Sequence, residues 1–433
     1  MEQNVLEQMR ADWNRRARED VNYFVAFARR CQSDDEFFAT GAPVLWALEK
    51  ELKWILPRLR GRAPRALEIG CGPGRLMRLM ARYFDEIWGV DVSDEMIRLA
   101  REKLCDVANA RVERNNGTDL AGFTDHSFDF VYSYAVFQHI PSREVVMGYL
   151  EEAWRVLRPG GLMRCQLNGM PESGPRCDTW HGVRIPARDI VEFARARDCR
   201  LLALEGALTQ YMWVTIRKPG PPPSPAPLAP VYIRQVTNPY TSEPVVPYRG
   251  RFASMSLWAE GLPLDCDLLT LEVHAGGRAG EVFYVGPPDI RSLQQINVRL
   301  PEGLTTGIQP LSLRWRGRLL CPESLVRLIP PGPAVPRLIS VTDSIDLLAG
   351  SRISSGHVKV TLEEAQRPED LVAIIDGHRI EELEVTCTDP VPPRHEINFA
   401  LPPSVASGGH LLELSLGRRR FPPVGIEVVV QTG

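Results

Sequence analysis

The first half of the chain alternates between short unbroken apolar runs and stretches whose apolar residues recur every three or four positions. Ala66 to Ile69 and Ile87 to Val90 are runs of the length and solidity of buried strands. Between them Leu76, Met77, Leu79, Met80 and Tyr83 fall at helical spacing. Upstream, Trp13, Ala17, Val21, Phe24 and Phe27 form one apolar stripe, and Leu45, Leu48, Leu52 and Ile55 form another. That spacing predicts helices over residues 1 to about 60. Downstream, Ser93 is a candidate N-cap for a helix opening on Met96 and Ile97. Strands are predicted at Ala110 to Arg114, Phe128 to Tyr134, Leu162 to Leu167, Arg200 to Glu205 and Tyr211 to Arg217. Leu150, Ala153, Val156 and Leu157 carry another helical stripe. Ile185 to Asp189 starts a further helix running through Ala196.

Strand, turn, helix, strand is the order of a nucleotide-type site at the carboxyl end of a parallel sheet. The turn here is Gly70-Cys71-Gly72-Pro73-Gly74, and the second strand ends on Asp91. Glycines permit a sharp turn and a close approach of backbone to ligand. An acid at the tip of the second strand suits both hydroxyls of a ribose. The spacing is Glu68-x-Gly70-x-Gly72-x-Gly74, not the G-x-G-x-x-G of a dinucleotide fold, and no phosphate-binding lysine opens the helix.

This combination resembles the class I S-adenosylmethionine-dependent methyltransferases of the small-molecule type. Glu-Glu-Ala-Trp-Arg-Val-Leu-Arg-Pro-Gly-Gly, 151–161, is similar to the turn before their fifth strand. The resemblance implies an α/β Rossmann-like domain with sheet order 3-2-1-4-5-7-6 and S-adenosyl-L-methionine as cofactor. It implies that Glu68, Gly70, Gly72, Gly74, Arg75, Asp91, Met96 and Tyr134 hold that cofactor. Asn116 and Gly117 would meet the adenine, with Asp119 as the alternative if the register differs. Helices before the glycine turn would lid the site, with Trp13, Tyr23, Phe37 and Phe38 as pocket walls or plain helix packing. The loop from Asn168 to Val183 would border the acceptor. His139, just past the fourth strand, lies on the acceptor side and is the candidate general base; its bland alternative is a cap on the next helix. Transfer from an activated sulfonium needs positioning first, and a base only where the acceptor has a proton to lose.

The pattern changes after a proline-rich stretch, Lys218 to Pro230, which is predicted to be a stiff, extended linker. Helical stripes give way to short β-branched alternations between Gly and Pro turns. The half also repeats itself. Gln295 to Pro301 matches Glu396 to Pro402, Gly307 matches Gly408, and Leu311, Leu313 and Trp315 match Leu412, Leu414 and Leu416. A period of about 100 residues is that of a sandwich domain. The repeats resemble small immunoglobulin-like modules appended to bacterial proteins, so two all-β immunoglobulin-like sandwiches are expected. The expected domains are 1–218, a linker at 219–230, and β modules at 231–330 and 336–433. Cutting the chain after Lys218 is then expected to leave a soluble fragment. Trp258, Tyr284 and Trp315 are candidate sugar platforms or core aromatics.

Composition narrows the function. A net charge of -3 gives no field for nucleic acid or an anionic membrane. No apolar run approaches the ~20 residues of a membrane span. Nine cysteines without C-x-x-C spacing suit reduced thiols in a cytoplasm. No His, Cys, Asp and Glu grouping has metal-ligand spacing. The expected partners are a small-molecule or glycan acceptor, methylated at oxygen or nitrogen, and a protein or second copy held by the β modules. A catalytically silent fold that leaves recognition of a glycan or protein to the β modules is the rival reading. An aminopropyl transferase would want acids after the fourth strand, where this chain has Ser133-Tyr134-Ala135-Val136.

Overall fold

Buried strands need their backbone groups paired, and the first half of this chain pairs them in one long sheet. The structure is a computed structural model and describes residues 2–26, 30–56, 61–171, 178–180, 182–220, 230–250, 252–332, 335–345, 350–389 and 394–429. The chain divides into two compact units, Met1–Arg18 with Gly41–Gly332, and Glu19–Thr40 with Pro333–Gly433.

In the first unit the helices are α1 (Glu2–Ala26, continuing past Arg18 into the other unit's residues), α3 (Ala42–Leu52), α4 (Arg75–Met80), α5 (Asp94–Lys103), α6 (Arg143–Val156) and α7 (Ala187–Ala196). The remaining helix, α2 (Asp34–Ala39), belongs to the second unit. Strands β1 (Arg65–Ile69), β2 (Glu86–Asp91), β3 (Ala110–Arg114), β4 (Phe128–Ser133), β5 (Leu157–Leu167), β6 (Arg200–Glu205) and β7 (Met212–Arg217) lie in the order β3-β2-β1-β4-β5-β7-β6. That is the expected order. β1 pairs in parallel with both β2 and β4, and β7 runs antiparallel to β5 and β6. One core lies on the face that includes Leu67, Val131, Met163 and the α6 stripe; the other includes Ala66, Phe130, Tyr132, Leu48 and Met77. β5 starts five residues earlier than the expected Leu162, because the Gly160–Gly161 segment bonds to the backbone of Lys218 and extends the ladder.

The sequence repeat is a structural repeat. The first copy contains β8 (Tyr232–Thr237), β9 (Val245–Pro247), β10 (Ser254–Glu260), β11 (Leu271–Ala275), β12 (Arg278–Ala279), β13 (Glu281–Val285), β14 (Leu293–Arg299), β15 (Gly307–Trp315), β16 (Arg318–Leu319) and β17 (Ser324–Ile329). The second contains β18 (Arg337–Asp343), β19 (Arg352–Ile353), β20 (His357–Glu363), β21 (Leu371–Ile375), β22 (His378–Arg379), β23 (Glu384–Asp389), β24 (Arg394–Ala400), β25 (Gly408–Leu416), β26 (Arg419–Arg420) and β27 (Val424–Val428). The order β8-β10-β14-β13 is matched by β18-β20-β24-β23, and β12-β11-β15-β17-β9 by β22-β21-β25-β27-β19. Each copy closes its two sheets on one core, Leu257, Val273, Ile296 and Leu313 in the first and Val360, Ala373, Ile397 and Leu414 in the second.

The first copy does not stand apart from the α/β sheet. β13 pairs with β6 through Tyr284 and Ala203, making an 11-stranded sheet that runs from β3 to β8. Leu268 N–H donates to Leu201 O at 2.8 Å, and Leu201 N–H donates to the buried Asp267 carboxylate at 3.2 Å. Beside this seam lies a buried charge cluster. Arg164 on β5 reaches Glu205 at 3.0 Å and Thr215 Oγ1 at 2.6 Å, with Glu51 of α3 at 3.7 Å. Lys50 bonds Glu205 at 3.1 Å and sits 4.7 Å over the Tyr284 ring. Tyr284 is therefore a buried seam residue, not a sugar platform. The expected break at 219–230 falls mostly on residues outside those described, and the units part instead at Gly332 and Pro333.

Those contacts reverse the expectation for truncation. A chain cut after Lys218 loses the partner of β6 and leaves Leu201 N–H and O without Asp267 and Leu268, hydrogen bonds worth about 0.5–3 kcal/mol each. Fragment 1–218 should melt well below fragment 1–332, or precipitate. Equal melting temperatures would show that the seam contributes nothing.

Candidate functional site

The glycine turn is fixed by the end of β2. After β1, Gly70 N–H and Cys71 N–H both donate to Val90 O on β2, at 2.8 and 3.0 Å. Gly70 and Gly74 adopt φ of +73° and +88°. A Cβ would come within 2.4 Å of Val136 at Gly70 and 2.5 Å of Leu104 at Gly74. Both the left-handed backbone and the lack of space demand glycine there.

Asp91 closes the turn at the tip of β2. Its Oδ2 accepts Gly72 N–H at 3.0 Å and its Oδ1 accepts Ser93 N–H at 2.9 Å. Burial pushes this carboxyl up to about 6, although one edge still reaches solvent; the backbone donors oppose the rise. Glu68, at the end of β1, is buried and accepts the Tyr132 hydroxyl at 2.8 Å. Burial pushes Glu68 up to about 8, with Tyr132 and Arg75 opposing. At neutral pH the site therefore presents one ionised carboxylate, Asp91, and one largely protonated acid, Glu68.

The other expected cofactor residues fall around these two. Met96 is buried in the first turn of α5, where Ser93 Oγ caps its N–H at 3.1 Å. Asn14 of α1 accepts both Ser93 Oγ–H at 2.7 Å and Glu95 N–H at 3.0 Å, so the N-terminal helix is tied to the rim. Arg75 is buried, with its guanidinium 5.9 Å from the centre of the Tyr134 ring. Tyr134 stacks on Trp213 at 5.4 Å, and Trp213 in turn carries Arg164 at 4.7 Å. Gly117 is buried beside Val92 and Leu6. Asn116 is exposed and folded into its own turn: its Oδ1 accepts Thr118 and Asp119 N–H, and its Nδ2 donates to Asp119 at 2.7 Å. The two candidates for the adenine amino group are thus bonded to each other.

Past β4, His139 lies between Trp13 (ring centres 5.4 Å apart) and Trp180 (5.6 Å). Arg16 stacks over Trp13 at 4.7 Å and Trp180 at 5.1 Å. It donates to Thr179 O at 3.0 Å and Thr179 Oγ1 at 3.1 Å, and Thr179 donates to Asp12 at 2.6 Å. Tyr23, Phe37 and Phe38 belong to the second unit. Of the 168–183 loop, 172–177 and 181 lie outside the described residues. Sequence reasoning missed Arg16, Gln138 and Gln166, because no local pattern marks a polar residue that meets its partner from a distant element. Among the described residues no group of His, Cys, Asp and Glu is arranged to hold a metal ion.

Comparison with known proteins agrees with this geometry. Residues 67–165, from β1 to β5, match the family described as a methyltransferase domain. Demethylmenaquinone methyltransferase from Staphylococcus aureus (strain JH9) is 28% identical over 113 residues, covering 25% of this chain and 45% of the relative. The chain thus spans about half the length of the curated relatives it matches. Solved structures with similarity include the DhpI–SAM–HEP complex, 19% identical with TM-score 0.33, covering 50% of this chain and 98% of that one. The PH0226 protein from Pyrococcus horikoshii OT3 is 21% identical with TM-score 0.32, covering 40% and 90%.

The residues present fit S-adenosylmethionine. Asp91 holds its carboxyl beside the turn, bonded to Gly72 N–H, and Glu68 stands at the end of β1 on the same side of the turn. The acids also make a stability test. Both hold protons in the folded state that an unfolded chain releases at lower pH. Their contribution is therefore full below pH ~4 and lost as pH rises, to about 6 for Asp91 and about 8 for Glu68. The ligand-free protein should lose melting temperature from pH 5 to 8, with a limiting slope of about 1.4 kcal/mol per pH unit per site. Glu68→Gln should flatten the upper part of that slope. An unchanged slope would mean that Glu68 is ionised in the fold.

Proposed function

We propose that the chain is a methyltransferase that uses S-adenosylmethionine to methylate an oxygen or nitrogen of a small molecule or glycan end. The observation that carries this reading is the Asp91 carboxylate bonded to Gly72 N–H at the mouth of the glycine turn. Bound there, the cofactor supplies an electrophilic methyl group. Asp91 would take the ribose hydroxyls, and Gly117 with Asn116 or Asp119 would border the adenine. Tyr134 and Arg75 would flank the amino-acid end. Trp13, Trp180 and His139 would wall the acceptor and keep water out. The match over 67–165 supports the reaction class, and the Staphylococcus relative acts, by its name, on demethylmenaquinone.

The two β domains are read as immunoglobulin-like modules. Their repeated strand order supports that reading, and the seam with β6 gives the first a scaffolding role. The second is assigned to partner or glycan recognition or to self-association. Cysteines whose side chains are described are free thiols, which supports a reducing, cytoplasmic setting. No helix among the described residues is long and apolar enough to cross a membrane.

Calorimetry with S-adenosylhomocysteine tests the reading. Wild type should bind. Asp91→Ala should bind roughly 10- to 100-fold more weakly, the loss of about 1.5–3 kcal/mol in hydrogen bonds to a charged group. Equal binding by both would remove the ribose role from Asp91. No binding by folded wild type would leave the silent binding protein as the better reading.

A further inference from the structure

A chain of hydrogen bonds runs from β5 to His139, and both of its ends are backbone groups whose polarity cannot be reassigned. At one end Ala135 N–H lies 3.0 Å from a side-chain atom of Gln166. An N–H only donates, so that atom is the carbonyl oxygen, Oε1. The amide nitrogen of Gln166 then faces Leu167 O at 3.0 Å, Gln210 O at 2.6 Å and Gln138 Oε1 at 3.1 Å. Two of these are backbone carbonyls, which only accept, so they fix the same orientation independently. The two hydrogens of that nitrogen are shared among these three acceptors, and Gln138 turns its oxygen toward them because the flipped amide would set two donors against each other; the Gln138 NH2 then faces His139 Nε2, 3.3 Å away. At the far end His139 Nδ1 lies 3.0 Å from Trp180 O, another group that only accepts. The ring hydrogen belongs on Nδ1, and Nε2 holds the lone pair.

The chain is built rather than incidental. Gln166 is fully buried near the end of β5, between the core residues Cys165 and Leu167. Ala135, which starts the chain, has φ +55°, a left-handed conformation costing an alanine roughly 1–2 kcal/mol. Trp13 and Trp180 hold the ring in place. Neutral histidine in water favours hydrogen on Nε2, so this arrangement opposes the ring's own preference.

We propose that Gln166 is a positioning residue that acts through Gln138 to hold His139 as the Nδ1–H tautomer, making Nε2 the proton-accepting atom for the acceptor substrate. This rests on the methyltransferase reading and deepens it. Without acceptor, the Gln138 amide donates to Nε2. An acceptor hydroxyl or protonated amine takes that donor's place. Its X–H bond breaks, the electron pair stays on oxygen or nitrogen, and the proton goes to Nε2 to give the imidazolium, which returns it to water. The acceptor class is thereby narrowed to groups that carry a removable hydrogen on the atom to be methylated.

The test reads the tautomer itself, so it needs no acceptor. The full chain is labelled with 15N-histidine, and long-range 1H–15N spectra are recorded above the ring's pKa. His139 is assigned by the signals missing from His139→Asn. The expected wild-type pattern is a protonated Nδ1 and a bare Nε2. Gln166→Leu should shift at least about a tenth of the population towards hydrogen on Nε2, and Gln138→Leu should shift it in the same direction. A wild-type ring with hydrogen on Nε2 overturns the proposal whether or not either variant folds. Folded variants that keep the wild-type pattern also overturn it, because Trp180 O alone would then hold the ring. Calorimetric titration of the same wild-type sample with S-adenosylhomocysteine separates the two ideas: a failure to bind counts against the cofactor reading, and the tautomer counts for or against Gln166.

Discussion

The hydrogen bond from Gly72 N–H to Asp91 is the constraint on which the site depends. It joins the turn after β1 to the tip of β2, so loop shape and acid position are set together. Gly70 and Cys71 N–H add two bonds to Val90 O on the same strand. The turn is left with little freedom of its own, and Val136 and Leu104 pack into the space a side chain at Gly70 or Gly74 would need. Parallel pairing of β1 with β2 and β4 then brings Glu68, Asp91 and the segment after Ser133 to one edge of the sheet.

A second constraint is the seam at β6. A parallel α/β sheet usually ends on an antiparallel edge strand that must be shielded from further pairing. Here β13 supplies the shield and extends the sheet into the first β domain. Tyr284 and Lys50 lie together over the Arg164 cluster, and Arg164 stacks on Trp213, which stacks on Tyr134 beside Arg75. The β domain thus touches, through four side chains in contact, the aromatic wall of the proposed cofactor site.

Much of this was legible in the sequence. Most of the strands showed as unbroken apolar runs, since strands buried on both faces have no polar alternation to blur them, and their order followed from the resemblance to the methyltransferase family. The glycine turn was legible because glycine spacing and an acid at a fixed distance are local. The β repeat was legible because repeated units keep their turn residues, as Gly307 and Gly408 show. What failed was long-range. Nothing near Tyr284 indicates that Ala203, eighty residues earlier, is its neighbour, and the proline stretch argued for separation. Gln166 and Arg164 sit in an apolar strand that reads as plain core. Their partners come from 51, 138, 205 and 210, and only the fold brings those positions together.

The most direct measurement is a crystal structure of the full chain with S-adenosylhomocysteine. The account requires the ribose hydroxyls on Asp91, the ligand backbone along Gly70 to Gly74, and the sulfur facing a cavity walled by Trp13 and His139. A site filled by side chains, or a ligand held elsewhere with Asp91 untouched, would contradict it.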